Sequence, residues 1–132
     1  MSSIPSASIP KELRYTTDHE WVRPADTRWA VGITAFAVEQ LGDITLVELP
    51  AEGDLLTRGQ RFGTIESVKS VSDLFAPVSG RVARVNDALK GAPEHVNDDC
   101  YAAWMVEIEP SEPSELEELL TPEGYDELVR AG

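Results

Sequence analysis

Gly63-Thr64-Ile65-Glu66-Ser67-Val68-Lys69-Ser70-Val71-Ser72-Asp73, followed by Leu74-Phe75-Ala76-Pro77-Val78-Ser79-Gly80, sets two strand-like runs on either side of a lysine. Pro77 and Gly80 then enclose a turn from which another strand, Arg81 to Val85, departs. A lysine at a hairpin tip suits covalent attachment, because a ligase must reach the amine and the finished arm must sweep outward. Ser67 and Ser70 are small enough to leave the approach open, while Val68 and Val71 favour extended backbone. Amide formation would remove the ammonium charge, so such a site should not depend on an ion pair at Lys69. Taken alone, one lysine near a turn heavily favours an ordinary surface lysine closing a hairpin, and spacing does not change that.

Outward from this stretch, apolar residues between Leu13 and Ile108 come in short runs separated by Gly, Pro and Asp, which predicts a mainly β domain. Strands are expected at Trp21 to Arg23, Trp29 to Ile33, Ile44 to Leu49, Arg61 to Ser67, Ser72 to Ala76, Gly80 to Val85 and Trp104 to Glu109. In the last, Val106 and Ile108 should face one way and Glu107 and Glu109 the other. Thr34 is placed to cap a short helix whose Ala37, Val38 and Leu41 share a face, and Gly42 to end it. Beyond the strands, Ser114 and Glu117 make a capping-box pattern ahead of Leu119 and Leu120. Pro122 opens a second helical pattern carrying Tyr125, Leu128 and Val129. A C-terminal helical segment is therefore expected from about Ser114.

The chain of 132 residues fits one domain, read as residues 11–132 behind a disordered Ser- and Pro-rich tail, Met1 to Pro10. Its 24 acidic against 11 basic residues, a net charge of −13, oppose binding to nucleic acid. No run reaches the apolar length of a membrane span, and the tail lacks targeting patterns, so a cytoplasmic monomer is expected. Cys100 is the sole cysteine, so the chain has no dithiol of its own. His19 and His95 lack the spacing of metal ligands, and no metal is expected. His19 reads as the strand entry before Trp21, and no catalytic constellation is present.

Seven separated stretches carry a resemblance: His19-Glu20-Trp21-Val22, Gly32-Ile33-Thr34, Glu39-Gln40-Leu41-Gly42-Asp43, Val47-Glu48-Leu49-Pro50, Glu66-Ser67-Val68-Lys69-Ser70, Ala76-Pro77-Val78-Ser79-Gly80 and Pro113-Ser114-Glu115-Leu116. In this order they resemble the H protein of the glycine cleavage system from roughly Leu13 to Val129. The resemblance implies a barrel-sandwich hybrid of two small antiparallel sheets facing each other, with short helices. It implies that Lys69 carries a covalent lipoyl group and that the chain is a carrier, not an enzyme.

The resemblance further implies four partners: a glycine decarboxylase (P protein), an aminomethyltransferase (T protein), a dihydrolipoyl dehydrogenase (L protein) and a lipoyl-attaching enzyme. The decarboxylase loads an aminomethyl group on the arm, the transferase passes its carbon to folate and releases ammonia, and the dehydrogenase reoxidises the dithiol. That places the chain in glycine catabolism and one-carbon metabolism. Glu20 and Asp73 match family positions that contact the loaded arm, where carboxylates would hold its ammonium. Their other readings are a surface carboxylate beside a strand and a turn residue.

Three positions depart from the family pattern: Ala35 where Asp is common, Cys100 where Pro is common and Ala103 where Gly is common. Cys100 reads either as a buried small apolar residue or as an exposed oxidisable thiol. An H-like relay that supplies lipoyl or octanoyl groups to other complexes shares the same lysine motif. Lipoyl modules of 2-oxoacid dehydrogenases and biotin carriers place Asp-Lys-Ala or Met-Lys-Met at the tip, unlike Val68-Lys69-Ser70.

Overall fold

The computed structural model describes residues 9–131, so of the tail assigned to Met1 to Pro10 the first eight residues lie outside the described residues. Ile9, counted with that tail in the sequence, is buried beside Leu13 and Tyr15.

Among the described residues, nine strands form two antiparallel sheets. The larger contains β1 (Arg14–Tyr15), β2 (Glu20–Arg23), β3 (Trp29–Ile33), β5 (Leu55–Leu56), β8 (Gly80–Val85) and β9 (Val106–Pro110), in the order β1-β2-β3-β9-β8-β5. The smaller contains β4 (Ile44–Glu48), β6 (Arg61–Ser67) and β7 (Val71–Phe75), in the order β4-β6-β7. Helix α1 (Ala35–Leu41) joins β3 to β4, and single-turn helices α2 (Ala88–Gly91) and α3 (His95–Asp98) lie between β8 and β9. A 3₁₀ segment (Pro113–Glu118) and α4 (Pro122–Ala131) complete the described chain. The expected mainly β architecture with a C-terminal helix is thus present.

The core follows from strand alternation. In β2, Trp21 and Val22 point to opposite faces, and both are fully buried. Val22 joins the main core with Val31, Ile65, Leu74, Val82 and Ile108. Trp21 joins a second cluster with Leu13, Tyr15, Tyr125 and Val129, which α4 covers. Trp21 pairs with Gly32, where an added Cβ would lie 2.5 Å from the indole Cζ2. Glycine is therefore what lets the indole lie flat on β3. Val106 and Ile108 are buried as expected, while Glu107 and Glu109 meet Arg84 and Arg81 across β8.

Thr34 Oγ1 accepts from Ala37 N–H at 3.3 Å, and Gly42 ends α1 at φ +80°. Strand β9 begins at Val106 instead of Trp104, β7 begins at Val71, and β4 stops at Glu48. The sequence reading missed β1, β5, α2 and α3. The capping box at Ser114 does not form: Glu112 holds the cap position without a side-chain bond, and the segment is 3₁₀. Glu115 is instead engaged by Ser79, through N–H at 2.6 Å and Oγ at 3.1 Å. These bonds fasten the segment to the β7–β8 turn instead of capping its own amides.

Candidate functional site

The hairpin β6–β7 is held by a paired register from Arg61 opposite Phe75 to Glu66 opposite Val71. Its tip closes with Ser67 N–H donating to Ser70 O at 2.8 Å. Ser67 Oγ also accepts from Lys69 N–H at 3.3 Å and from Ser70 N–H at 3.1 Å. The small side chain that the sequence reading took as clearance is thus the one that builds the turn. Val68, Lys69 and Ser70 are exposed, and none of the ion pairs among the described residues involves Lys69.

Glu20 lies elsewhere, only 1% exposed, at the start of β2. Thr16 Oγ1 donates to Oε1 at 2.8 Å and Phe75 N–H donates to Oε2 at 3.1 Å. A surface carboxylate, the alternative reading of Glu20, does not describe it. Burial pushes its carboxyl up to about 7, against the opposing pull of the Phe75 and Thr16 hydrogen bonds; the Asp18 charge adds to the rise. The carboxyl lines a cleft of about 200 Å³ shared with Tyr15, Thr16, Phe75, Ala76 and Leu119. Arg58 and Glu118 pair across its rim.

Asp73 is half exposed on β7, with Arg61 Nη1 at 3.9 Å. Two residues beyond it on the same strand stands Phe75, whose N–H Glu20 receives. Strand β7 therefore runs from the lysine tip past Asp73 to the cleft. From Val71, where β7 leaves the turn, Asp73 is about 7 Å and Phe75 about 13 Å along the strand. The three residues named from the sequence are not gathered in one pocket: Lys69 is at the hairpin tip and Asp73 on β7 of the smaller sheet, while Glu20 reaches the end of β7 from the larger sheet.

His19 takes φ +69°, a left-handed conformation uncommon for a side chain of its size. Its Nδ1 is 2.8 Å from Tyr125 Oη, which is also 2.7 Å from Thr34 Oγ1. Burial lowers the His19 pKa. The Tyr125 hydroxyl thus ties α4 both to His19 and to Thr34 at the start of α1. Cys100 is buried, and burial with the Asp99 charge pushes its thiol up to about 12. No group of three metal-ligating side chains occurs among the described residues.

A family model described as Glycine cleavage H-protein matches residues 13–132. The chain belongs to the glycine cleavage H-protein family. Over 123 residues it is 53% identical to the glycine cleavage system H protein of Anoxybacillus flavithermus (strain DSM 21510 / WK1), covering 92% of this chain and 97% of that one. It is 52% identical over 122 residues to the protein of the same name from Anaeromyxobacter sp. (strain K), covering 92% and 95%. The crystal structure of a glycine cleavage system H protein from Mycobacterium marinum superposes with a TM-score of 0.83 at 40% identity, covering 90% of this chain and 97% of that chain. H-protein membership supports a lipoyl-carrier role in glycine cleavage. No helix among the described residues is long and apolar enough to cross a membrane.

Proposed function

We propose that this chain carries lipoate as an amide on Lys69 and shuttles the aminomethyl group of glycine between the enzymes of a glycine cleavage system. The observation that carries this reading is the presentation of Lys69 on an exposed hairpin tip, outside every ion pair among the described residues. Converting such an ammonium to a neutral amide sacrifices no ion pair among the described residues. When bound, lipoate supplies a disulfide and dithiol pair able to accept a one-carbon unit together with two electrons.

The chain's own residues hold and shelter. Each Glu20 oxygen accepts one hydrogen bond, and a carboxylate oxygen has a second lone pair, so a donor entering the cleft finds an acceptor waiting. Tyr15, Phe75 and Leu119 keep water from that acceptor, which strengthens its hold on an ammonium. Asp73 offers a second carboxylate midway along β7. In this reading the chain performs no catalysis itself. Its partners are the glycine decarboxylase, the aminomethyltransferase, the dihydrolipoyl dehydrogenase and the lipoyl-attaching enzyme, and its net charge of −13 speeds encounter with any basic surface on a partner. We place it in the cytoplasm as a monomer, with residues 11–132 as one carrier domain.

Coexpression with a lipoate ligase and lipoate, followed by intact-mass and peptide mass spectrometry, tests the reading. One lipoyl adduct on Lys69 alone is expected. An unmodified Lys69 under conditions that lipoylate a control domain would overturn it.

A further inference from the structure

The end of α1 meets the lysine hairpin at Gly42. A Cβ added there would lie 3.4 Å from Lys69 Cε and 4.0 Å from Nζ, so the lysine stem rests against a bare backbone. The neighbouring carbonyl, Asp43 O, accepts from Val68 N–H at 3.1 Å. Of the tip amides of Val68, Lys69 and Ser70, those of Lys69 and Ser70 bond to Ser67 within the hairpin, and that of Val68 reaches outside it.

Asn97 brackets this carbonyl from α3. Its Nδ2 donates to Gly42 O at 2.9 Å and its Oδ1 accepts from Ile44 N–H at 2.9 Å. One side-chain amide therefore spans Asp43 as a paired strand would, and holds both peptides that flank it. The turn supplying Asn97 is itself pinned by Val96, which is fully buried. From Asn97 the connection runs through the Gly42–Ile44 bend to Val68 and so to Lys69, which Asn97 does not touch.

We infer that Asn97 is a positioning residue for the modification of Lys69, holding the bend that presents the lysine tip in one arrangement to the attaching enzyme. This rests on the reading of Lys69 as the carrier lysine. In that step Nζ bonds to the carboxyl carbon of an ATP-activated lipoate, AMP leaves, and the amine releases its protons to solvent. A tip free to wander must be ordered on binding, which weakens the encounter and leaves the step inside the complex alone.

The test compares wild type, Asn97→Ala and Asn97→Asp with lipoate ligase, lipoate and ATP, reading initial rates by intact mass against chain concentration. Hydrogen exchange at the Val68 amide is measured on the same unmodified chains. For Asn97→Ala the expected result is a KM raised about tenfold, the scale of one or two lost hydrogen bonds, with kcat within about twofold. Val68 should exchange faster, and Asn97→Asp, which keeps the acceptor for Ile44 but sets a carboxylate oxygen against the Gly42 carbonyl, should lose at least as much. Wild-type KM and wild-type Val68 exchange in the alanine variant would overturn the inference, as would a loss that merely tracks the unfolded fraction. Should the alanine variant fail to fold, the aspartate variant decides by the same two readouts. If wild-type Lys69 stays unmodified, the carrier reading fails, and Val68 exchange alone decides whether Asn97 orders the tip.

Discussion

Glu20 Oε2 accepts a hydrogen bond from Phe75 N–H at 3.1 Å, which joins β2 of the six-stranded sheet to the free edge of the three-stranded sheet. A buried carboxyl thus sits where the two sheets approach, at the inner end of the strand that starts beside Lys69.

Glu20 should make stability fall as pH rises. Its folded pKa of about 7 lies above the ordinary 4.5, so between these values the folded chain binds more protons than the unfolded one. The favourable contribution is complete below about 4.5 and is lost as pH passes 7. Glu20→Gln, neutral throughout, should gain on wild type by up to about 3 kcal/mol between pH 4.5 and 8. Urea denaturation at a series of pH values measures this; a pH-independent difference would refute it.

Lys69→Arg keeps a positive charge at an exposed tip that makes no ion pair, so its unfolding free energy should stay within about 0.5 kcal/mol of wild type. Its guanidinium cannot form the lipoyl amide, and intact mass after incubation with lipoate ligase should show no adduct. An adduct elsewhere on the chain would separate carrier function from this residue.

Gly32→Ala should destabilise by about 1–3 kcal/mol, because the new methyl meets a fully buried indole with little room to retreat. Trp21 fluorescence followed through urea unfolding reports both the loss and any shift of the ring. A wild-type midpoint would mean that β3 yields more easily than its burial suggests.

Tyr125→Phe removes the hydroxyl shared by His19 Nδ1 and Thr34 Oγ1 but keeps the ring stacked on Tyr15 at 4.5 Å. A cost of about 1–3 kcal/mol is expected from leaving these groups short of a partner. Amide exchange in α4 should quicken more than exchange in β9, since the lost bonds anchor the helix and not the sheet.

The strands with alternating or continuous apolar residues were legible in the sequence, as were the Thr34 cap, the Gly42 stop and the lysine hairpin. Strands β1 and β5 have two residues each, too few to show a period. The Ser114 segment misled because its local pattern favours a cap, whereas Glu115 bonds Ser79 and Glu118 pairs with Arg58, both far away in sequence. Glu20 was picked out by resemblance, but its burial depends on Phe75, 55 positions later, which no local spacing reveals. Asn97 carries no local signal for the same reason: its partners Gly42 and Ile44 lie at the end of α1 and the start of β4, more than 50 positions earlier.

Tyr15 and Leu120 exchange two backbone hydrogen bonds, 3.0 Å and 2.8 Å, so Leu119 and Leu120 close the cleft wall against β1. A cut just after Pro110 would therefore leave all the described strands, the lysine hairpin included, on one fragment and both leucines on the other. On the proposed reading, that fragment would present an attachment site with nowhere to stow its cargo.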